Sequence, residues 1–282
     1  MVLGVFYALT MWGIPEGPYQ KYFNHSNPTA VEEWMVNWFA LGLTINTALI
    51  AALTYGLGLS EPQLRRFTSL LVVNLGGGAC LVMGVSNTNL PHGLFVPLEH
   101  YLAMASHFVL LFWASAQMRS GTGAVAKALR SPFKPHSLAA GMAAFGSAMQ
   151  LFWFFDVMVV NGASKYLTED ASAVTLFGKA MGDFFGMTLF HSSVISMFAL
   201  IYLTDDQLSK WCAVQSVNVV VQHFFVTQGP PAALFTEAAA KEGLYLRGVL
   251  LAANLVGAGI MKYFPLDADP KLRKEVKVTK SK

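Results

Sequence analysis

Apolar residues run along this chain in long blocks, broken by short polar or Pro/Gly-rich stretches. A helix needs about 20 apolar residues to cross a hydrocarbon core of about 30 Å. On that ruler the blocks predict spans at 2–14, 32–59, 64–86, 95–118, 138–160, 173–203, 207–227 and 244–263. The first is short for a crossing, so the expectation is seven to eight transmembrane helices. Pro15-Glu16-Gly17-Pro18, Asn87 to Pro91, Gly121 to Pro135, Asn161-Gly162 and Gly229-Pro230-Pro231 punctuate the blocks as connectors.

The polar positions repeat. An offset of 144 pairs Lys21-Tyr22 with Lys165-Tyr166, Gly42 with Gly186, Thr44 with Thr188, Gln63-Leu64 with Gln207-Leu208 and Val73-Asn74 with Val217-Asn218. An offset of 140 then pairs Pro91 with Pro231 and Val109-Leu110-Leu111 with Val249-Leu250-Leu251. Two apolar sequences align by chance over Leu and Val, but not readily over a turn, a Gln and a Pro. The pattern therefore predicts an all-α polytopic membrane protein built as a parallel four-plus-four internal duplication. An even number of crossings per repeat relates the halves by an axis along the membrane normal. The expected organisation is a first four-helix repeat over 1–120, a basic linker over 121–136, a second repeat over 137–265 and a basic polar tail over 266–282.

Composition agrees. Hydrophobic residues make up 54% of the 282, charged residues only 12%, and mean hydropathy is +0.47, whereas a soluble domain is about 25% charged. The placement of charge matters more than its small net value of +3. Arg65, Arg66, Arg119, Lys127, Arg130, Lys134, Lys210 and the tail fall on one side of the expected threading, against Lys21, Lys165 and Lys241 on the other. The positive-inside rule then puts both termini on the cytoplasmic, matrix or stromal side, in an organellar inner membrane or thylakoid. Cys80 and Cys212 sit in apolar blocks as small hydrophobes. The first residues lack a basic flank and a small-residue cleavage site, and so make a poor signal peptide. No basic stripe with interleaved aromatics suggests nucleic acid.

Candidate chemistry concentrates in 179–223. Lys179, Asp183 and His191 share one helical face at spacings of four and eight. Gln215, Asn218 and Gln222 form a second stripe at spacings of three and four. An unpaired charge in a bilayer is costly, so Lys179 and Asp183 are expected either to neutralise each other or to face a site. Across the repeat, Lys179, Asp183, His191, Gln215, Gln222 and His223 stand opposite Met35, Phe39, Thr47, Leu71, Gly78 and Ala79. Those six are the candidate ligand-binding set, while Asn218, matched by Asn74, reads as shared helix glue.

His107, His191 and His223 lie in predicted spans, where a ring nitrogen could ligate haem or chlorophyll or simply bond a carbonyl. No metal site is expected. Glu237, Lys241, Glu242 and Arg247 are expected to form a self-paired amphipathic entry to the last helix. No nucleophile set, zinc motif or phosphate loop is present in the sequence.

The function these features favour is a non-catalytic, accessory membrane subunit of a larger complex, of the energy-transducing (respiratory or photosynthetic) kind, holding lipid, haem or pigment. Its expected partners are lipids and other membrane subunits. The alternative is a small-solute or proton-coupled transporter with a site between the repeats. A lipid-modifying enzyme using Asp183 or His191 is the third reading.

Overall fold

The computed structural model describes residues 27–68, 137–156, 175–228 and 235–260, with Val5, Ala8, Leu9, Met11 and Trp12. Within it, the side chains of Leu176, Lys179, Ala180, Asp183, Val226 and Gln228 lie outside the description. Helices account for 89% of the described residues, and no strand occurs among them.

Each long helix starts where a hydroxyl can serve a free backbone N–H. Helix α1 (Ala30–Ala51) opens on a capping box, in which Thr29 Oγ1 accepts from Glu32 N at 3.3 Å and Glu32 Oε2 accepts from Thr29 N at 2.7 Å. Ser137 caps α2 (Leu138–Phe155), Thr175 caps α3 (Leu176–Tyr202) and Thr236 caps α5 (Glu237–Gly257). Between them, α4 (Asp205–Gln228) opens on a reciprocal pair: Thr204 N donates to Gln207 Oε1 at 3.0 Å and Gln207 N to Thr204 Oγ1 at 3.3 Å. Helix α1 widens into a π-turn over Ala52–Gly56, leaves it through Gly58 at φ 62°, and is followed by a helical stretch over 61–68.

Among the described residues, three helical stretches are long and apolar enough to cross a membrane: Ala30–Gly56, Leu138–Phe155 and Phe184–Tyr202. They make this a membrane-embedded, helical protein. Helices α4 and α5 fall short of that criterion because each carries a polar stripe, the amides of α4 and the charged first turns of α5. The predicted segments 32–59, 138–160, 173–203, 207–227 and 244–263 each overlap one of the five described helices; α5 begins seven residues earlier than the last segment, at Glu237. The segments 95–118 and 64–86 beyond residue 68, the linker and the tail lie outside the described residues.

Helix α3 is the centre. It packs on both α1 and α2, while α5 packs on α4 and α2. Gly42 brings α1 and α3 together: a Cβ there would stand 2.7 Å from Thr188 Cβ. Gly257 does the same for α5, where a Cβ would meet Cys212 Sγ at 2.6 Å and Met142 Cβ at 3.0 Å. Small residues at such points are how helices approach when lipid removes any hydrophobic drive between them. Ile195, Phe198, Leu49, Leu53, Trp211 and Cys212 belong to one buried cluster; Trp34, Met35, Phe39, Met181 and Phe184 belong to another. On the outside, Phe152, Phe155, Val217, Phe224 and Tyr245 are exposed, the apolar rim a bilayer would cover.

Candidate functional site

Among the described residues, two cavities touch α3. The larger, of about 140 Å³, is bounded by Trp38, Leu41, Gly42 and Ile45 of α1, by Phe185, Thr188, Leu189 and Ser192 of α3, and by Glu242, Gly243, Leu246 and Arg247 of α5. Its physical origin is a mismatch. Helix α1 packs on α3 and α5 on α2 and α4, while the first half of α5 carries charge and cannot close on the aromatic face of α1. The smaller cavity, of about 30 Å³, is lined by Ser147, Gln150, Ser196, Gln215, Asn218 and Asn254, among others. Trp153, Leu189, Ser192 and Gln222 line both.

A cluster of rings surrounds the mouth of the larger cavity. Trp38 lies 4.3 Å from Phe185 and 5.8 Å from Phe235, and Trp34 lies 4.7 Å from Trp38, all as centroid separations. Such offset and edge contacts suit the charge distribution of aromatic faces. The indole nitrogens of Trp34 and Trp38 are buried and have no acceptor among the described residues.

The hydroxyl and amide groups in the walls are mostly engaged. Ser192 Oγ donates to Asn46 Oδ1 at 2.5 Å, and Asn46 Nδ2 donates to the Thr188 carbonyl at 3.0 Å. Thr188 Oγ1 donates to the Phe185 carbonyl at 2.7 Å. Ser147 and Ser193 exchange bonds reciprocally, each Oγ donating at 3.2 Å to the other's carbonyl, and so tie α2 to α3. From α4, Gln222 Nε2 donates to Asn218 Oδ1 at 3.0 Å and Asn218 Nδ2 to Gln215 Oε1 at 3.0 Å. Gln215 Nε2 then donates to Ser196 Oγ at 3.3 Å, and Ser196 Oγ to Gln150 Oε1 at 3.4 Å. The result is a five-residue polar chain through three helices.

The structure thus joins Gln215 and Gln222 through Asn218, which the sequence had set apart as glue. His191 is buried on α3 and His223 is half-buried near the end of α4; neither lines these two cavities. Lys179 and Asp183 belong to the first turns of α3, and their side chains lie outside the described residues, as does His107 altogether. No group of three His, Cys, Asp or Glu side chains among the described residues could hold a metal ion.

The entry to the last helix differs from the expected self-paired arrangement. Lys241 pairs with Glu237 at 2.6 Å, at the exposed surface. Arg247 forms no hydrogen bond or ion pair among the described residues, and its Nε is buried. The physical reason is spacing: Glu237 and Lys241 stand one turn apart, whereas Glu242 and Arg247 are five residues apart, outside the three-to-four spacing at which helical side chains meet.

Sequence reasoning missed Asn46, Ser147, Ser192, Ser193 and Ser196, the groups that lock α3 to its neighbours. The spacing of Ser192 and Ser196, one turn apart in an apolar helix, was the available signal. It also missed Trp38, whose part depends on α5 standing away from α1. Comparison with protein-family models, with characterised proteins and with solved structures finds no match for this chain.

Proposed function

We propose that this chain is a non-catalytic, accessory membrane subunit whose core holds a lipid-type ligand in the larger cavity. One observation carries the reading: a cavity of about 140 Å³ whose walls are chiefly aromatic and aliphatic, with one guanidinium, Arg247, and one carboxylate, Glu242, among them. Ligand cavities are commonly apolar with a few placed polar groups. Haem and pigment are less well supported, because neither cavity has a histidine in its wall. The larger energy-transducing assembly and the organellar membrane remain part of the proposal on sequence grounds.

The eight-helix, four-plus-four architecture belongs to the same proposal and has one supporting geometry. Gln63 Nε2 donates to the Tyr202 carbonyl at 2.7 Å and Gln207 Nε2 to the Gly58 carbonyl at 3.1 Å. These two bonds interconvert under the offset of 144 that relates Gln63 to Gln207 and Gly58 to Tyr202. Gln63 Nε2 also reaches Gln207 Oε1 at 3.2 Å, as two residues beside a pseudo-two-fold axis would.

The test is extraction of lipids and polypeptides from the protein purified in mild detergent. Wild type should retain one lipid class in stoichiometric amount, and Gly243→Leu, which adds bulk to the cavity wall, should lose it. Equal lipid content in both would overturn the cavity reading, and migration as a lone chain in native gels would overturn the subunit reading.

A second reading, a small-solute transporter, is favoured by the chain from Gln222 to Gln150 beside the smaller cavity. Flux into proteoliposomes that is unchanged in Gln215→Leu would remove it.

A further inference from the structure

We infer that the larger cavity takes a lipid with an acidic headgroup, its phosphate or carboxylate held by Arg247 and its chain lying on the ring of Trp38; this rests on the lipid-binding reading above.

The argument is an inventory of donors. Ser192, Thr188 and Gln222 each spend a donor on a protein acceptor, the oxygens of Asn46, Phe185 and Asn218 respectively. Two donors in the same wall spend none among the described residues: the Arg247 guanidinium and the Trp38 indole N–H. The wall's carboxylate, Glu242, is exposed, whereas Arg247 has its Nε buried, so the buried uncommitted groups are donors and suit an acceptor-rich anion whose phosphate or carboxylate oxygens fit the guanidinium fork.

Position supports this. A Cβ on Gly243 would stand 3.0 Å from Arg247 Nη1 and 3.5 Å from Nη2, so the guanidinium lies across the bare turn at Gly243. A Cβ there would make the guanidinium give by a few tenths of an ångström, and a longer side chain would crowd it further. The carboxylate in the same wall does not pair with it: Glu242 is exposed and forms no ion pair with Arg247 among the described residues. The rest of the wall, including Leu41, Ile45, Phe185 and Leu246, offers only apolar surface, which suits an acyl chain and not a free inorganic anion. The smaller cavity, by contrast, has Gln215, Asn218 and Gln222 bonded in series and no charged side chain in its lining.

The experiment uses the full chain in vesicles containing lipids brominated along the acyl chain, which quench tryptophan on contact. The Trp38 signal is isolated as the difference between wild type and Trp38→Phe, since the chain holds six tryptophans. Brominated phosphatidylglycerol should quench that signal at about tenfold lower mole fraction than brominated phosphatidylcholine, the ratio expected from one charge-assisted contact. In Arg247→Gln the ratio should fall to about one, and Arg247→Lys should restore part of it. Helicity and size in detergent establish that each variant is folded, and Gly248→Leu, at a position with open space around it, controls for bulk on α5. Equal quenching by the two lipids in wild type, or a preference retained in Arg247→Gln, would overturn the headgroup assignment while leaving a lipid site standing. No Trp38 quenching by either lipid would overturn the lipid reading itself. Relief of quenching by inorganic phosphate alone would overturn the lipid as the source of the anion.

Discussion

At the scale of single residues, most of the polar side chains in this core are fasteners. Asn46 is 5% exposed and Ser192 6%, yet together they make one bond to a backbone carbonyl and one to each other. Membrane hydrogen bonds between side chains average about 0.6 kcal/mol, so each is a modest contribution. Losing both at once is different, because the buried groups left behind forgo their partners. Asn46→Leu should therefore destabilise the fold by about 1–3 kcal/mol in reversible denaturant titration in mixed micelles. Ser192→Ala should cost about 0.6 kcal/mol, since Asn46 keeps its bond to Thr188. Equal costs would mean that the Asn46 bond to the carbonyl contributes nothing. Glu32 is a third fastener: it closes the cap of α1 and also accepts from Thr175 Oγ1, so a single carboxylate joins the starts of α1 and α3, where helix dipoles favour negative charge.

At the scale of helices, close approach is decided by glycine. Gly42 has Thr188 against it, while Gly248 on α5 has open space. The same substitution should then act in opposite directions. Gly42→Ala should destabilise by about 1–3 kcal/mol through overpacking, and Gly248→Ala should stabilise by up to about 1 kcal/mol through helix propensity. Thermal unfolding followed by static light scattering in detergent would read both, and a harmless Gly42→Ala would mean that α1 and α3 are not held at this distance. Helix α5 follows another rule. Its first turns carry Glu237, Lys241, Glu242 and Arg247, and that charged half stands off from the aromatic face of α1 to leave the cavity.

At the scale of the whole molecule, the loops at 57–60 and 203–204 meet through Gln63 and Gln207, so they share one end of the bundle. On the proposed topology, that end faces the cytoplasmic, matrix or stromal side. With native cysteines replaced, Ser60→Cys and Thr204→Cys should react with an impermeant maleimide from the same side, and Gly229→Cys from the other. Labelling of all three from one side would mean that α4 does not cross, and would reduce the count of crossings below eight.

The amino-acid sequence by itself determined that the chain is helical and built for a membrane. Blocks of apolar residues with few charges satisfy every backbone group internally only as helices, whatever packs beside them. It located the polar stripe of α4, because periodicity is a local property, and it matched Gln63 with Gln207 through the offset of 144. Tertiary structure decided what those groups face. Gln215, Gln222 and Asn218 look alike along the chain, but only packing on α3 extends them through Ser196 to Gln150. His191 and His223 read as ligands from their setting, yet the walls of both cavities lie elsewhere. Arg247 read as part of a self-paired run, yet among the described residues it has no ion pair, and its guanidinium lies against the bare turn at Gly243. Pairing and exposure depend on neighbours distant in sequence, which no local pattern encodes.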